Sequence, residues 1–428
     1  MGGTSTIIIC GHKTTTWERF FRVYDSTHTH KHVYRDARLA TIFREELSIS
    51  GLEVLDAHDR VKLWVWEKSE NYQIIMQDVR RHRRSAQEHL LARMERAKCF
   101  KVVDEVYGTL GLLDEAISKA ILPNYDIPAR DVFIAFAEAW IQAEMNLELL
   151  IYGGETGNGD EWRKLDELDL PSWVPDLRKQ TMVQYNVAHP KPHAAGSQRA
   201  SFTFLGNSVL STQGIILSAI DGLSERRCWN EDPAALQSIV NAKHDANAYG
   251  SASAFREALW RTLVGDRDYQ ARSLVDDTLQ SFLDVAIFDA PAPTKAQYRS
   301  DHIDYQSWLK TNASFVLGGK PLKQHFLPLK SIEHEPDVYY SCLRCFFLGN
   351  RKLSVTVSGH IALVSQAARV GDVVAILFGC SVPLLLRPVE HMFRVVAECY
   401  VQGVMQGELA ALVPQENPAY LKRDILLC

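Results

Sequence analysis

The hydrophobic residues of the first 152 positions form one short continuous run and several helical repeats. Thr6–Cys10 is a short β-branched and apolar run, which predicts one buried strand. Further along, apolar residues recur every three or four positions, the period of an amphipathic helix. This pattern covers Leu112–Ile121 and Val132–Ile151, the second behind a predicted cap at Asp131. We therefore predict a mainly helical part over residues 1–152.

The pattern changes after the glycine-rich loop Gly153–Asp160. Leu170–Asp176 contains two prolines, which fix φ and favour an extended segment. Residues 186–200 are polar and predict a loose loop. Alternating runs and helical stretches complete a mixed part over residues 160–338. The predicted strands are Phe202–Phe204 and Gly214–Ile220, and the predicted helices are Ala252–Thr262 and Ser273–Ile287.

From Tyr339 onward the chain is predicted to be β-rich. Four short strand-like runs are separated by Gly-Asp or Pro. They are Arg351–Val357, Val373–Phe378, Val382–Leu386 and Phe393–Val401. We therefore predict an α+β fold, in which the helical part packs on the mixed part and on a β-rich part over residues 339–428. At least three strands should follow residue 339.

The composition is that of a soluble globular protein. Among 428 residues, 46% are hydrophobic and 23% are charged, which excludes a chain that is disordered throughout. The formal net charge of −5 does not indicate a nucleic-acid partner. No run of about 18 apolar residues predicts a membrane span, and the first residues show no signal-peptide pattern. We therefore expect a cytoplasmic protein with reduced cysteines and no disulfide.

Sequence motifs for cofactors and metals are missing. The sequence has no glycine-rich nucleotide loop, no serine elbow and no HExxH. Cys342 and Cys345 form a CxxC without a second pair, so we interpret them as core residues rather than a zinc or redox site. His28–His32 is interpreted as a solvated turn, with a metal site as the alternative. Arg80–Arg84 is interpreted as a solvated helix face, with a phosphate patch or nuclear address as the alternative. We expect no cofactor and no metal.

Several short strings occur in an order that resembles one protein family. They are Leu170-Pro-Ser-Trp-Val-Pro-Asp176, Leu259-Trp-Arg-Thr-Leu-Val264, Arg351-Lys-Leu-Ser-Val-Thr356, Gly371-Asp-Val-Val374, Val382-Pro-Leu-Leu-Leu-Arg387, and Glu398-Cys-Tyr-Val-Gln-Gly403 followed by Gly407-Glu408. The series resembles the region downstream of the signature domain in fungal heterokaryon-incompatibility (HET) proteins. The signatures of that domain do not appear in this sequence. Ala397, Gln402 and Ala362 stand where the family usually has Gly, His and Gly.

The resemblance leaves two hypotheses open and transfers no catalytic residue. In the first, the chain is a cofactor-independent enzyme of fungal secondary metabolism. It binds an apolar terpenoid or polyketide between aromatic walls and promotes cyclisation, such as an intramolecular four-plus-two cycloaddition in the manner of a pericyclase. In the second, it is a truncated HET-type protein that binds partners in self/non-self recognition without catalysis. We favour the first, because a chain without the signalling domain has lost the usual reason to keep the downstream region.

Candidate catalytic residues for the enzyme lie in or beside the strands of the β-rich part, where alternation places every second side chain on one face. They are Tyr339, Tyr340, His360, Arg387 and Tyr400. As neutral or cationic donors, these side chains would polarise a conjugated carbonyl group. The alternative is that the tyrosines are core residues and that Arg387 pairs with an acid such as Glu398.

Overall fold

The computed structural model describes residues 7–10, 13–16, 99, 101–154, 168–178, 192–206, 208–225, 239–266, 305–326, 351–415 and 420–428. The backbone divides after Arg93 into two units. In the first, the described residues form a hairpin of strand β1 (Ile7–Cys10) and strand β2 (Lys13–Thr16), which confirms the first predicted strand. His28–His32 and Arg80–Arg84 lie outside the described residues.

Among the described residues of the second unit, residues 305–311 are helical, and four further α-helices are given with both ends. They are α1 (Asp104–Tyr107), α2 (Glu115–Ala120), α3 (Ala129–Glu144) and α4 (Ala252–Leu263), with 3-10 turns at Leu110–Leu112, Glu148–Tyr152, Leu322–His325 and Ala410–Gln415. Helix α4 confirms the helix predicted at Ala252–Thr262. Its N-terminus is capped by the Ser251 hydroxyl, which accepts a hydrogen bond from the Ala254 amide at 3.1 Å.

Helix α3 differs from its prediction at both ends. It begins after Pro128, so Asp131 lies in its first turn instead of capping it. Proline suits this start because the first amides of a helix have no partner within it. The helix ends at Glu144, because the next residue, Met145, has a left-handed φ of 52°. A separate 3-10 turn then covers Glu148–Tyr152.

Thirteen strands are found in the described residues, and eleven belong to the second unit. After β1 and β2 they are β3 (Phe202–Leu205), β4 (Val209–Leu223), β5 (Val316–Leu317), β6 (Lys320–Pro321), β7 (Arg351–Thr356), β8 (Ile361–Ser365), β9 (Val373–Leu377), β10 (Leu384–Val389), β11 (Met392–Glu398), β12 (Tyr400–Val401) and β13 (Lys422–Leu427). Seven of them follow residue 339, which agrees with the predicted β-rich part. The predicted α+β fold is confirmed.

Strand β4 closes part of the sheet into a ring. One edge of β4 pairs with β13 and the other with β9, so that Ile215 lies between Lys422 and Ile376. The pairs β13–β11, β11–β10 and β10–β9 complete a closed ring of five strands. Beyond the ring, the last residues of β4 pair with β7, which continues to β8 and β12.

Apolar side chains fill the space that the sheet encloses. A small barrel has an interior filled by its own side chains, whereas about eight strands are needed before a small ligand fits. The core cluster includes Ile215, Leu217 and Ile220 of β4, Val374 and Ile376 of β9, Leu385 of β10 and Val396 of β11. All seven are at most 8% exposed. The ring is therefore a packed scaffold.

Two segments of the mixed part differ from the sequence prediction. Leu170–Asp176 does not stay extended, because the Val174 amide donates to the Pro171 carbonyl at 2.9 Å and closes a turn. Proline fixes φ but leaves ψ free, so two prolines do not exclude a turn. In the predicted loose loop, Ala194 and Ala195 are buried in the core cluster. The Ala194 amide donates to the Ser381 carbonyl at 2.9 Å, so the described end of this loop is fixed.

Candidate functional site

His360 lies in the tight turn between β7 and β8, and it is 9% exposed. Gly359, which precedes it, has a φ of 84°. A Cβ at Gly359 would overlap the Ala246 carbonyl group, so glycine lets the neighbouring loop pack directly on the turn. The sequence therefore places an imidazole in a turn that is covered from one side.

Two hydroxyl groups connect the imidazole of His360 to its own backbone. The Thr356 hydroxyl accepts from the His360 amide at 3.0 Å and lies 3.1 Å from the Ser358 hydroxyl. The Ser358 hydroxyl lies 2.9 Å from Nδ1 of His360. These three residues alternate along the chain, and together they form a closed ring of hydrogen bonds.

Tyr249 covers the imidazole from another part of the chain. Its ring meets the His360 ring edge-on, with centroids 6.1 Å apart and an interplanar angle of 71°. The phenol donates to the Gln402 carbonyl at 3.2 Å and accepts from the Ile361 amide at 2.9 Å. Burial raises the pKa of Tyr249 and lowers the pKa of His360 to about 4. Both groups are neutral at pH 7, so this turn can donate and accept hydrogen bonds without carrying a charge.

Replacing His360 with glutamine is expected to make the free energy of unfolding less dependent on pH between pH 7 and pH 4. Histidine has an ordinary pKa of 6.5, and burial lowers the pKa of His360 to about 4. Between these values the unfolded chain binds the proton and the folded chain does not, so the free energy of unfolding falls as the pH falls. The wild type should lose on the order of 3 kcal/mol more than His360→Gln between pH 7 and pH 4. Urea denaturation at each pH measures this difference.

The difference between wild type and variant isolates His360 from other groups that titrate in the same range. Burial raises the pKa of the Glu105 carboxyl to about 7, so its contribution has the opposite sign and falls as the pH rises. This contribution is present in both proteins and cancels. Equal pH profiles for the two proteins would contradict the buried, neutral state of His360.

Arg387, the second predicted site residue in the described part, is held by an acid. Its Nε lies 2.9 Å from Oδ1 of Asp372, and a terminal nitrogen donates to Oδ2 at 3.1 Å. The same end of the guanidinium donates to the Ala367 carbonyl at 2.9 Å. The acid proposed as its alternative partner, Glu398, pairs instead with Arg351. The sequence alternative was thus right about a pairing acid and wrong about which acid it is.

Tyr400 is buried on β12, and its hydroxyl donates a hydrogen bond to Oε1 of Gln402. It lies opposite Leu363 of β8, and Val401 lies opposite Ala362. Two more predicted site residues, Tyr339 and Tyr340, lie outside the described residues, as do Cys342 and Cys345. The structure does not bring His360, Arg387 and Tyr400 into one cluster, and their catalytic role stays a prediction.

The cysteines of the described part carry free thiols. They are Cys99, Cys380, Cys399 and Cys428, and Cys380 and Cys399 are fully buried with raised pKa values. Across the described ranges, no three His, Cys, Asp or Glu side chains are grouped to hold a metal ion. A search of the same residues finds no helix that is long and apolar enough to cross a membrane.

An apolar loop that the sequence analysis did not single out lies between α2 and α3. We call residues 122–127 the apolar loop. Leu122 is 81% exposed, Tyr125 is 54% exposed and Ile127 is 39% exposed. Single exposed apolar residues are ordinary, but three within six residues form a patch, and such patches are typical of protein interfaces. Pro123 within the loop and Pro128 directly after it were the available sequence signal.

Contacts from α1 hold the apolar loop in one conformation. The Tyr107 phenol donates to the Asn124 carbonyl at 2.8 Å and accepts from the Asn124 amide at 3.2 Å. The Tyr125 phenol donates to Asp104 at 2.8 Å, and the Lys101 ammonium lies 4.6 Å from the centre of the Tyr125 ring. The two tyrosine rings meet edge-on, with centroids 5.4 Å apart. The loop is exposed, yet its aromatic anchor is fixed before any partner binds.

Comparison with known proteins finds a family match over part of the closed sheet. Residues 216–421 match the Het-6 beta-barrel domain. The match begins inside β4 and ends at the residue before β13, so it contains strands β5 to β12. It thus covers three complete strands of the five-stranded ring, part of β4 and the turn that carries His360, and it leaves out β13.

The chain is also similar to heterokaryon incompatibility protein 6, OR allele, of Neurospora crassa. The two sequences are 25% identical over 360 residues, which cover 73% of this chain and 50% of that protein. The chain therefore spans about half the length of this curated relative. No solved structure matches the chain. The resemblance to HET proteins predicted from the sequence is confirmed.

Proposed function

We propose that the chain is a recognition module of the heterokaryon-incompatibility type, which binds a protein partner through the apolar loop. The observation that carries the proposal is the exposure of Leu122, Tyr125 and Ile127 on a loop whose conformation is already fixed. The Het-6 barrel and the name of the Neurospora crassa relative support a role in incompatibility. The partner is a protein that presents an apolar surface to this loop.

The physical chemistry of the apolar loop suits binding. Interface residues that contribute most are usually aromatic or apolar anchors surrounded by polar groups. Tyr125 is such an anchor, and Lys101 and Asp104 beside it supply both signs of charge. Because hydrogen bonds already order the loop, little conformational entropy is lost on binding.

The Het-6 barrel fits the role of a rigid support in this proposal. Its interior is occupied by the apolar core cluster, and β4 connects the five-stranded ring to β7. A packed core is rigid because its side chains have few alternative arrangements. In this proposal, the described part of the barrel therefore serves as a rigid support for the surface of the chain.

The double variant Leu122→Ser, Ile127→Ser is expected to lose partner binding while staying folded. Both side chains are more than a third exposed, so the free energy of unfolding should change by less than about 1 kcal/mol. Removing two apolar anchors should weaken the complex by about tenfold or more. Tagged chains recovered from a fungal host, with bound proteins quantified by mass spectrometry, measure this loss.

Leu421→Ser is the matched control, because Leu421 is 46% exposed and lies just before β13. A partner recovered equally with the wild type and this control, and depleted with the double variant, supports the proposal. Recovery of the same proteins with all three chains would contradict it.

A second candidate function is the cofactor-independent cyclisation of an apolar terpenoid or polyketide. The observation in its favour is the neutral imidazole of His360, held beside Ser358 and Tyr249 in a turn where its contacts with described residues are uncharged. A neutral donor of this kind can polarise a carbonyl group. The test compares extracts of host cells that express either the wild type or His360→Gln. An apolar product made only with the wild type supports catalysis, and identical extracts contradict it.

A further inference from the structure

We propose that Nε2 of His360 carries a proton and donates it in a hydrogen bond to the carbonyl oxygen of an uncharged ligand. The proposal rests on the hydrogen-bond ring of Thr356, Ser358 and His360. It is independent of the recognition function assigned to the apolar loop, so either one can fail alone.

The hydrogen positions in this ring follow from counting donors. The Thr356 hydroxyl accepts from the His360 amide, so its own hydrogen needs an acceptor. Thr356 is 1% exposed, and leaving its buried hydroxyl hydrogen without a partner would be unfavourable. The acceptor within reach is the Ser358 hydroxyl, 3.1 Å away. Thr356 therefore donates to Ser358.

The same count favours one tautomer of His360, the one in which both hydroxyls of the ring donate within it. Because Ser358 accepts from Thr356, its single hydroxyl hydrogen is free to donate to Nδ1, 2.9 Å away. A neutral imidazole whose Nδ1 accepts carries its proton on Nε2. The opposite direction around the ring would leave the buried Thr356 hydrogen unbonded. The backbone amide of His360 thus favours the Nε2–H tautomer of its own side chain through two hydroxyls.

The surroundings select an uncharged acceptor. The polar and aromatic partners of His360 in the described part of the chain are Thr356, Ser358 and Tyr249, and none is charged at pH 7. None of these contacts engages Nε2. An anion in this position would meet a neutral donor and a buried environment, so it would lose its hydration without gaining a counter-charge. A carbonyl oxygen loses less, and it accepts a single N–H well.

The turn also lies near the surface. Val357, which precedes Ser358, is 38% exposed, and Ser358 is partly exposed. His360 as a whole is 9% exposed, and its Nε2 is not among the fully buried side-chain atoms that lack a partner. A small ketone with an apolar body can therefore approach the turn beside Val357. The ligand class is an uncharged carbonyl compound.

Nitrogen NMR of the histidine side chains tests the proposal in the intact chain. The wild type should show the Nε2–H tautomer at His360. Thr356→Ser keeps both hydroxyls and should show the same tautomer, whereas Ser358→Ala removes the donor to Nδ1 and should show a mixture of both tautomers. Cyclohexenone should then shift the His360 Nε2 resonance of the wild type. Methylenecyclohexane has a similar shape without the oxygen and should leave that resonance in place.

Three results would overturn the proposal. The first is an Nδ1–H tautomer in the wild type. The second is no shift of Nε2 with cyclohexenone. The third is an equal shift with both compounds, because an equal shift would reflect apolar contact without a hydrogen bond.

Discussion

Replacing Arg351 with methionine is expected to lower the free energy of unfolding by about 3–5 kcal/mol. Arg351 is 6% exposed and Glu398 is 3% exposed, and a guanidinium nitrogen of Arg351 bonds to the Glu398 carboxylate. The same guanidinium donates to the carbonyls of Leu363 and Glu398. Removing the arginine leaves the buried carboxylate without this positive partner. Urea denaturation followed by tryptophan fluorescence measures the loss.

The double variant Arg351→Met, Glu398→Leu should recover most of that loss. A buried ion pair replaced as a whole by apolar side chains is often neutral for stability, whereas breaking one side is not. Lys119→Met is the control, because Lys119 and Glu115 form an ion pair with side chains that are 75% exposed. Exposed pairs contribute little. A loss of less than about 1 kcal/mol for Arg351→Met would contradict the importance of the pair.

Trp173→Ala is expected to lower the free energy of unfolding by about 3–5 kcal/mol. Trp173 is fully buried, and its ring lies 5.8 Å from the ring of Phe204 in β3. The indole nitrogen donates to the Ser208 carbonyl at 2.9 Å, which fixes the 168–178 segment to the start of β4. Chemical denaturation measures the effect.

Trp173→Phe separates packing from hydrogen bonding at this position. It keeps an aromatic ring but leaves the Ser208 carbonyl without the indole donor, so it should lose about 1–3 kcal/mol. Equal losses for the alanine and phenylalanine variants would contradict a packing role for the ring. A smaller loss for phenylalanine supports it.

Short-range features of the fold were predictable, and the pairings between distant segments were not. Val373–Phe378 is a short continuous apolar run, as expected for a buried strand, and β9 lies there. Lys422–Leu427 has three charged residues followed by three apolar ones, so its period did not predict β13. Its burial depends on β4, more than two hundred residues earlier. Burial of Ala194 likewise depends on the Ser381 loop, which no local pattern indicates.

The candidate site shows the same division. Thr356, Ser358 and His360 alternate within five residues, so their ring could be expected from a turn alone. Tyr249 binds the Ile361 amide from 112 residues away, and nothing near Tyr249 in the sequence signals that contact. Arg387 pairs with Asp372 because β9 and β10 are antiparallel neighbours, and that pairing depends on the sheet register.

Fusion of two fungal strains, one of which expresses the chain, tests the central claim most directly. Viability of the fused cells is measured for the wild type, for the double variant Leu122→Ser, Ile127→Ser, and for the single variant His360→Gln. Recognition through the apolar loop predicts that wild type and His360→Gln arrest growth and that the double variant does not. Arrest by the double variant together with survival of cells expressing His360→Gln would contradict the claim and favour chemistry at His360.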